Sequence, residues 1–244
     1  MADADTELGG PHAEFPRTTA SLRDQLRNPD PAARQGVLTT LARRYWKPVY
    51  HFLRLTFAKG NEEAKDLTQA FFVWLLERDV LSKYDPRRST FRTFFKGVLR
   101  NFAGNEHQAA HRLKRGGGAR VLPLDPALLD SDGGPAEITS DPEEMFDQLW
   151  TRETVARAVE RVRARYQSER RIVPFLAFEQ YDLAPGTAPS YADLAGRLGV
   201  KESDVRNYLF EVRGRVRDEV KAELVGLEGE PDDSSVDWSR FFRS

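Results

Sequence analysis

The 244 residues carry 37 Lys and Arg against 38 Asp and Glu and are 40% hydrophobic and 31% charged, the proportions of an ordinary globular chain with room for one large domain or two small ones. With no cysteine in the chain, disulfides and thiolate metal centres are excluded. No apolar run approaches the ~20 residues that cross a bilayer, and the first ten residues lack the basic flank and apolar core of a secretory signal, so no membrane insertion and a cytoplasmic location are expected.

Helical spacing of apolar residues recurs along the chain and strand-length runs are scarce, which predicts an all-α fold. The expected organisation is two small helical domains joined by a flexible acidic linker. Residues 1–31 form a lead-in, disordered over 1–17 and helical around 18–28, where Asn28, Pro29, Asp30 and Pro31 break the helix.

A first domain is expected over 32–115. Leu38, Leu41, Tyr45 and Val49 line one helix, with Pro48 as a kink or boundary. A second helix runs from about Glu62 to Arg78 with Ala64, Leu67, Phe71, Trp74 and Leu75 inward, which leaves Asp66, Gln69 and Val73 on its outer side. A turn over 84–88 ends in Arg87 and Arg88, and Ser89 is the predicted N-cap of the third helix. Phe91, Phe94, Phe95, Val98 and Phe102 follow its inward spacing. Arg92, Lys96 and Arg100 recur every four residues as one basic stripe.

The near-neutral total conceals a segregation of charge. Between Arg87 and Arg115 there are eight cations (Arg87, Arg88, Arg92, Lys96, Arg100, Arg112, Lys114, Arg115) and one acid, Glu106, whereas Pro123 to Gln148 contains acids and no Lys or Arg. The basic block suits nucleic-acid backbone; a solvated helix face is the plain alternative. Residues 116–142, opening with Gly116, Gly117 and Gly118, read as the linker. A phosphate-cradling loop is disfavoured there by the missing strand and lysine context.

A second domain is expected over 143–227, and its best local motif spans Ser190 to Leu209. Ser190 and Asp193 form a capping-box-like start, Ala195 is small where two helices must approach, and Gly199 supplies the turn. Lys201 stands where a Ser or Thr cap would be expected, so Ser203 is a candidate to cap the second helix instead. Val200, Val205, Leu209 and Val212 form its buried stripe. This is the pattern of a DNA-reading helix-turn-helix, with Arg206, Asn207, Phe210, Arg213 and Arg217 on the exposed side, where Arg and Asn would read guanine and adenine edges. The rival reading is a plain helical hairpin with a charged face.

Taken in order, the segments Glu63 to Leu76, Tyr84 to Phe95 with Arg100 and Asn101, and Ser190 to Leu209 resemble the extracytoplasmic-function type of sigma factor, within the sigma-70 family, over roughly residues 14–227. Arg43 to Tyr50 and Lys114 to Gly118 are similar to one branch of these proteins. The resemblance implies that Asp66, Gln69, Phe72 and Val73 meet core RNA polymerase. It implies that Arg87, Arg88, Phe91, Arg92, Phe95, Lys96, Arg100 and Asn101 recognise and open the minus-10 promoter element, and that the helix-turn-helix reads the minus-35 element. Phe94 and Phe95 stand where relatives often carry a tryptophan. The implied partners are promoter DNA, the clamp helices and flap of the polymerase, and an anti-sigma or other regulatory protein.

No catalytic residue, cofactor or metal is expected. His107 and His111 with Glu106 lack the His-Glu-x-x-His order and a third ligand. A stand-alone helix-turn-helix regulator is the main alternative and a degenerate interaction module a further one. The tail, 228–244, combines Glu228, Glu230, Asp232 and Asp233 with Trp238, Phe241 and Phe242; it is read either as unstructured or as folded back on a basic surface through those acids and aromatics.

Overall fold

The computed structural model of the chain describes residues 30–85, 87–114, 141–228 and 238–243, and all elements among them are helical. The helical stretch expected at 18–28, the triple glycine and linker to residue 140, and the acidic residues 230–233 lie outside the described residues. No helix among the described residues is long and apolar enough to cross a membrane. The chain divides into two compact units, one reaching Glu153 and the other running over Thr154–Val225 together with the C-terminal segment.

In the first unit, α1 spans Pro31–Phe57. Asp30 caps it by accepting from the Ala32 N–H at 3.0 Å, and Pro31 takes the first turn, where its missing N–H costs no helical hydrogen bond. The helix runs through Pro48 rather than ending there. Pro48 is buried with Tyr45, Val49, Phe52 and Leu53, so tertiary packing overrides the local cost of an interior proline. Helix α2 spans Asn61–Glu77 and buries Ala64, Thr68, Phe71, Phe72 and Leu75. Leu67 is only half-buried, so the inward face is turned toward Thr68 and Phe72.

A 3-10 turn over Val80–Lys83 leads into α3, Phe91–Lys114. The cap is Thr90, not Ser89: its Oγ1 accepts from the Thr93 N–H at 3.2 Å. Phe91 and Phe95 are sealed from solvent. Phe95 lies 4.4 Å from the Tyr45 ring and meets Phe71 edge-on at 5.6 Å, and Phe91 meets Tyr84 edge-on at 5.2 Å. Such edge contacts favour one ring arrangement over looser packings.

Helix α4, Pro142–Ser168, contributes its residues up to Glu153 to the first unit, where Met145, Phe146, Leu149 and Trp150 are buried. The boundary between units therefore falls inside α4 rather than at residue 143. An apolar face there is too large to leave in water.

The second unit holds the rest of α4, then α5 (Val173–Phe178), α6 (Tyr191–Leu198) and α7 (Glu202–Glu228). A π turn over Glu179–Leu183 continues α5, closed by the Ala184 N–H on the Glu179 carbonyl at 2.9 Å. Its core combines Val155, Ala158, Val162, Tyr166, Phe175 and Phe178 with Val205, Leu209, Val212, Val216 and Val220, the three-and-four stripe of α7.

Candidate nucleic-acid interface

The turn between α6 and α7 is built by local chemistry. Ser190 Oγ accepts from the Asp193 N–H at 3.1 Å and stands 2.6 Å from the Asp193 carboxylate. Gly199 ends α6 at φ 67° and ψ 34°, with its N–H on the Ala195 carbonyl, to which the Val200 N–H also donates at 3.1 Å. Helix α7 begins at Glu202. Asp204 reaches back to accept from the Lys201 N–H at 3.1 Å, while Ser203 lies within the helix and is exposed. The awkward Lys201 is thus served by a carboxylate three residues on, and Ser203 is not the cap.

Leu194, Ala195, Val205, Leu209 and Val212 close the hairpin core. Opposite them, Arg206 and Asn207 are exposed, and Phe210 is 79% exposed. The Arg206 guanidinium stands 5.9 Å from the Tyr191 ring, which lends it a lateral support.

Arg213 and Arg217 continue the same face by three and four residues but are differently placed. Arg213 grips Asp182 with both arms, Nε to Oδ2 at 2.9 Å and NH2 to Oδ1 at 2.8 Å, and donates from NH2 to the Arg243 carbonyl at 2.7 Å. The Arg217 guanidinium lies over the Phe242 ring at 5.1 Å and near Trp238 at 5.9 Å. The sequence pattern sets both toward DNA; in the structure they face the π turn and the C-terminal segment. The Asp182 contact could not be read from spacing, because it joins residues far apart in sequence.

In the first unit, Arg87 and Arg88 are exposed at the tip of their turn, which Asp85 holds by accepting from the Arg87 N–H at 3.1 Å. The stripe on α3 is engaged. Arg92 lies 4.4 Å from the Trp150 ring, Lys96 donates to Asp147 at 2.7 Å, and Arg100 Nε is 3.4 Å from Glu143. Three successive turns of α3 thus meet three successive turns of α4 in antiparallel order. Asn101 is exposed. Phe91 and Phe95, expected at the minus-10 surface, are core residues: they lie on the side of α3 that packs against Tyr45.

The outer face of α2 carries Glu62, Asp66, Gln69, Val73 and Leu76, all exposed, with Val73 at 45% and Leu76 at 44%. Leu76 extends the three-and-four spacing of the face and could have been added to it from the sequence. Phe72 does not belong there; it is buried against Phe71 and stacks on Trp46 at 6.0 Å.

The chain matches none of the protein-family models, curated proteins or solved structures with which it was compared.

Among the described residues no three His, Asp or Glu side chains cluster as metal ligands. His107 lies 6.5 Å from the Phe57 ring, and the His111 side chain lies outside the described residues.

A set of ion pairs ties α4 and the segment after it to α7 behind the exposed face of Arg206, Asn207 and Phe210. Glu211 accepts from Tyr166 at 3.0 Å and from Arg171 at 2.8 and 3.0 Å. Burial pulls the Glu211 carboxyl upward most strongly, but Arg171 and Tyr166 together outweigh it and hold the group below its ordinary range. Tyr166 moves the other way, to about 12, through burial first and its hydrogen bond to Glu211 second.

Proposed function

We propose that the protein is a sigma factor of the extracytoplasmic-function type, which binds core RNA polymerase and directs it to promoters. The observation that carries this reading is the exposed trio Arg206, Asn207 and Phe210 on a helix otherwise seated in a core, beyond a tight glycine turn. An Arg fork matches guanine O6 and N7, an Asn amide matches adenine N6 and N7, and an apolar ring suits the thymine methyl. The start of α7 would enter the major groove of the minus-35 element in the manner of a recognition helix.

The outer face of α2 supports the polymerase contact: Asp66 and Gln69 beside Val73 and Leu76 combine acidic, amide and apolar groups for a helix-on-helix interface. For the minus-10 element, Arg87, Arg88 and Asn101 are open to DNA. Arg92, Lys96 and Arg100 would reach phosphates by exchanging their partners on α4 for the DNA backbone. The second reading, a regulator that binds duplex DNA alone, is favoured by that same engagement, since it leaves the α7 face as the most open DNA-reading surface.

The deciding experiment measures binding of the full chain to bacterial core RNA polymerase, beside the double variant Asp66→Arg, Gln69→Ala. Tight binding lost in the folded variant is the expected result. No binding to polymerase, with strong sequence-specific duplex binding by the chain alone, would replace the sigma reading with the regulator.

A further inference from the structure

The face of α7 changes character halfway along. Arg206, Phe210, Arg213 and Arg217 follow one another by four, three and four residues, so they share one side of the helix. The first half of that side is bare. The second half is occupied by the segment 238–243, which enters through a 3-10 turn over Trp238–Arg240.

Three kinds of contact hold the segment. Phe242 is buried edge-on against Phe178 at 6.0 Å, and Trp238 stacks on Phe242 at 5.3 Å with the rings 6° from parallel. The guanidinium groups of Arg213 and Arg217 lie 5.8 and 5.1 Å from the Phe242 ring. The backbone is fastened at its end, where the Arg243 N–H donates to Asp182 at 2.7 Å and the Arg243 carbonyl accepts from Arg213. Asp182 is the hub: its carboxylate, sealed from solvent, receives Arg213 and Arg243 together.

These attachments are few and local. One buried ring and a handful of polar contacts hold a six-residue segment that sits outside the helical core of the unit. The stretch leading to it, 228–237, holds five acids (Glu228, Glu230, Asp232, Asp233, Asp237) and no Lys or Arg, so its charge opposes a nearby phosphate backbone.

We infer that the segment Trp238–Arg243 is an intramolecular latch that competes with DNA for the distal half of the α7 face. The inference rests on the proposed role of α7 in DNA binding. A helix lying in a groove sets its leading residues on base edges, while cations further along its face serve the backbone. Arg217 is the cation so placed. While the aromatic pair lies against it, the guanidinium is engaged by rings of the same chain. DNA binding therefore includes release of the latch. Arg213 stays on Asp182 and serves as the receptor for the segment rather than as a DNA contact.

The test uses the full chain and the double variant Trp238→Ala, Phe242→Ala, each first shown to be folded by its thermal transition. The probe is a mixed-sequence DNA duplex, titrated between about 50 and 200 mM salt, where phosphate contacts are read from the salt slope. The expected result is several-fold tighter binding by the variant at the lower salt, with a slope steeper by about one unit. Adding Arg217→Ala to the variant cancels both gains. Amide hydrogen exchange supplies the direct readout: protection of 239–243 in the native chain falls when the duplex is added. Equal affinity in the native chain and the variant, with 239–243 still protected in the complex, overturns the latch but leaves the α7 reading intact. Weaker binding by the folded variant overturns it in favour of a supporting segment. No duplex binding by either protein removes the α7 reading and the latch with it.

Discussion

Arg157 on α4 and Glu223 on α7 form an ion pair closed to water, Nε and NH2 standing 3.0 and 2.9 Å from Oε1, with each side chain 2% exposed. Thr154 accepts from the same guanidinium, and Arg161 adds a bond to the second oxygen of Glu223. Taking two charges out of water is expensive, so such a pair is best judged by what breaking it does. Glu223→Ala leaves Arg157 buried without its counter-charge and should lower stability by about 3–5 kcal/mol. The joint replacement Arg157→Met, Glu223→Leu should recover most of the loss. Denaturant titration of the three proteins checks both statements; a mild effect of Glu223→Ala would show that water reaches the pair.

The Gly199 turn gives a purely conformational prediction. A Cβ at this position meets no atom within 4 Å, so no clash accompanies a substitution. The left-handed backbone alone penalises an L side chain, and Gly199→Ala should cost about 1 kcal/mol. Gly199→Asn should cost less, since Asn tolerates this region. Thermal midpoints in that order check the turn.

Alkaline stability follows from Tyr166. Its folded value of about 12 lies above the ordinary 10.0, so the folded state holds this proton more tightly. The contribution is complete below pH 10 and is lost as pH rises toward 12. At the acid end the sign reverses: Glu211 is depressed below 4.5, so its contribution is present above that value and is lost as pH falls through the folded value. Tyr166→Phe should flatten the alkaline decline, read from unfolding free energies across that window, and should also lose the hydrogen bond to Glu211.

On the proposed reading, Phe210→Ala separates recognition from folding. The ring is almost wholly in solvent, so stability should change by less than about 0.5 kcal/mol. Preference for the cognate duplex should fall. Arg206→Ala should cost about 1–3 kcal/mol of specific binding and relax the choice at one base pair. Competition titrations against altered duplexes make the comparison.

The α3–α4 contacts predict a gain. Asp147 is more than a third exposed, so Asp147→Ala, Glu143→Ala should cost under about 1 kcal/mol per lost pair. On the proposed reading, Lys96 and Arg100 released from these partners should then strengthen low-salt DNA binding. Unchanged binding would confine the stripe to holding α4.

The hairpin of α6 and α7 is legible because its determinants are local: the Ser190 cap, the small Ala195, Gly199 and the apolar stripe of Val205, Leu209 and Val212. The inward faces of α1 and α3 were legible for the same reason. Phe72, Phe91 and Phe95 were misplaced when resemblance, rather than the face they occupy, assigned them to partners. The first half of α4 goes with the second domain in the sequence reading because helical spacing resumes at about Glu143, directly after the linker; that Glu143 and Asp147 answer the cations of α3 is a matter of tertiary contact. Residue spacing cannot show Asp182 meeting Arg213 across a π turn. The folding back of the tail is one of two sequence readings; of the three aromatic anchors it names, Phe242 is buried and Trp238 stacks on it, Phe241 is only half-buried, and the acids Glu230, Asp232 and Asp233 lie outside the described residues.

Phe210 has a consequence for the behaviour of the chain in solution. Water around an exposed benzyl group is a standing free-energy cost, and among the described residues the large apolar side chains that bear such a cost are Val73, Leu76, Leu183 and Phe210. Among the described residues the exposed apolar surface is therefore carried at three places, the outer face of α2, the end of the π turn and the start of α7, with Phe210 the barest of them. Crowded with copies of itself, it should self-associate through those places first, and the ligands that occupy them should act as its solubilisers. On the proposed reading, a yield that rises when DNA or polymerase is present during purification would be the practical sign of those exposed groups.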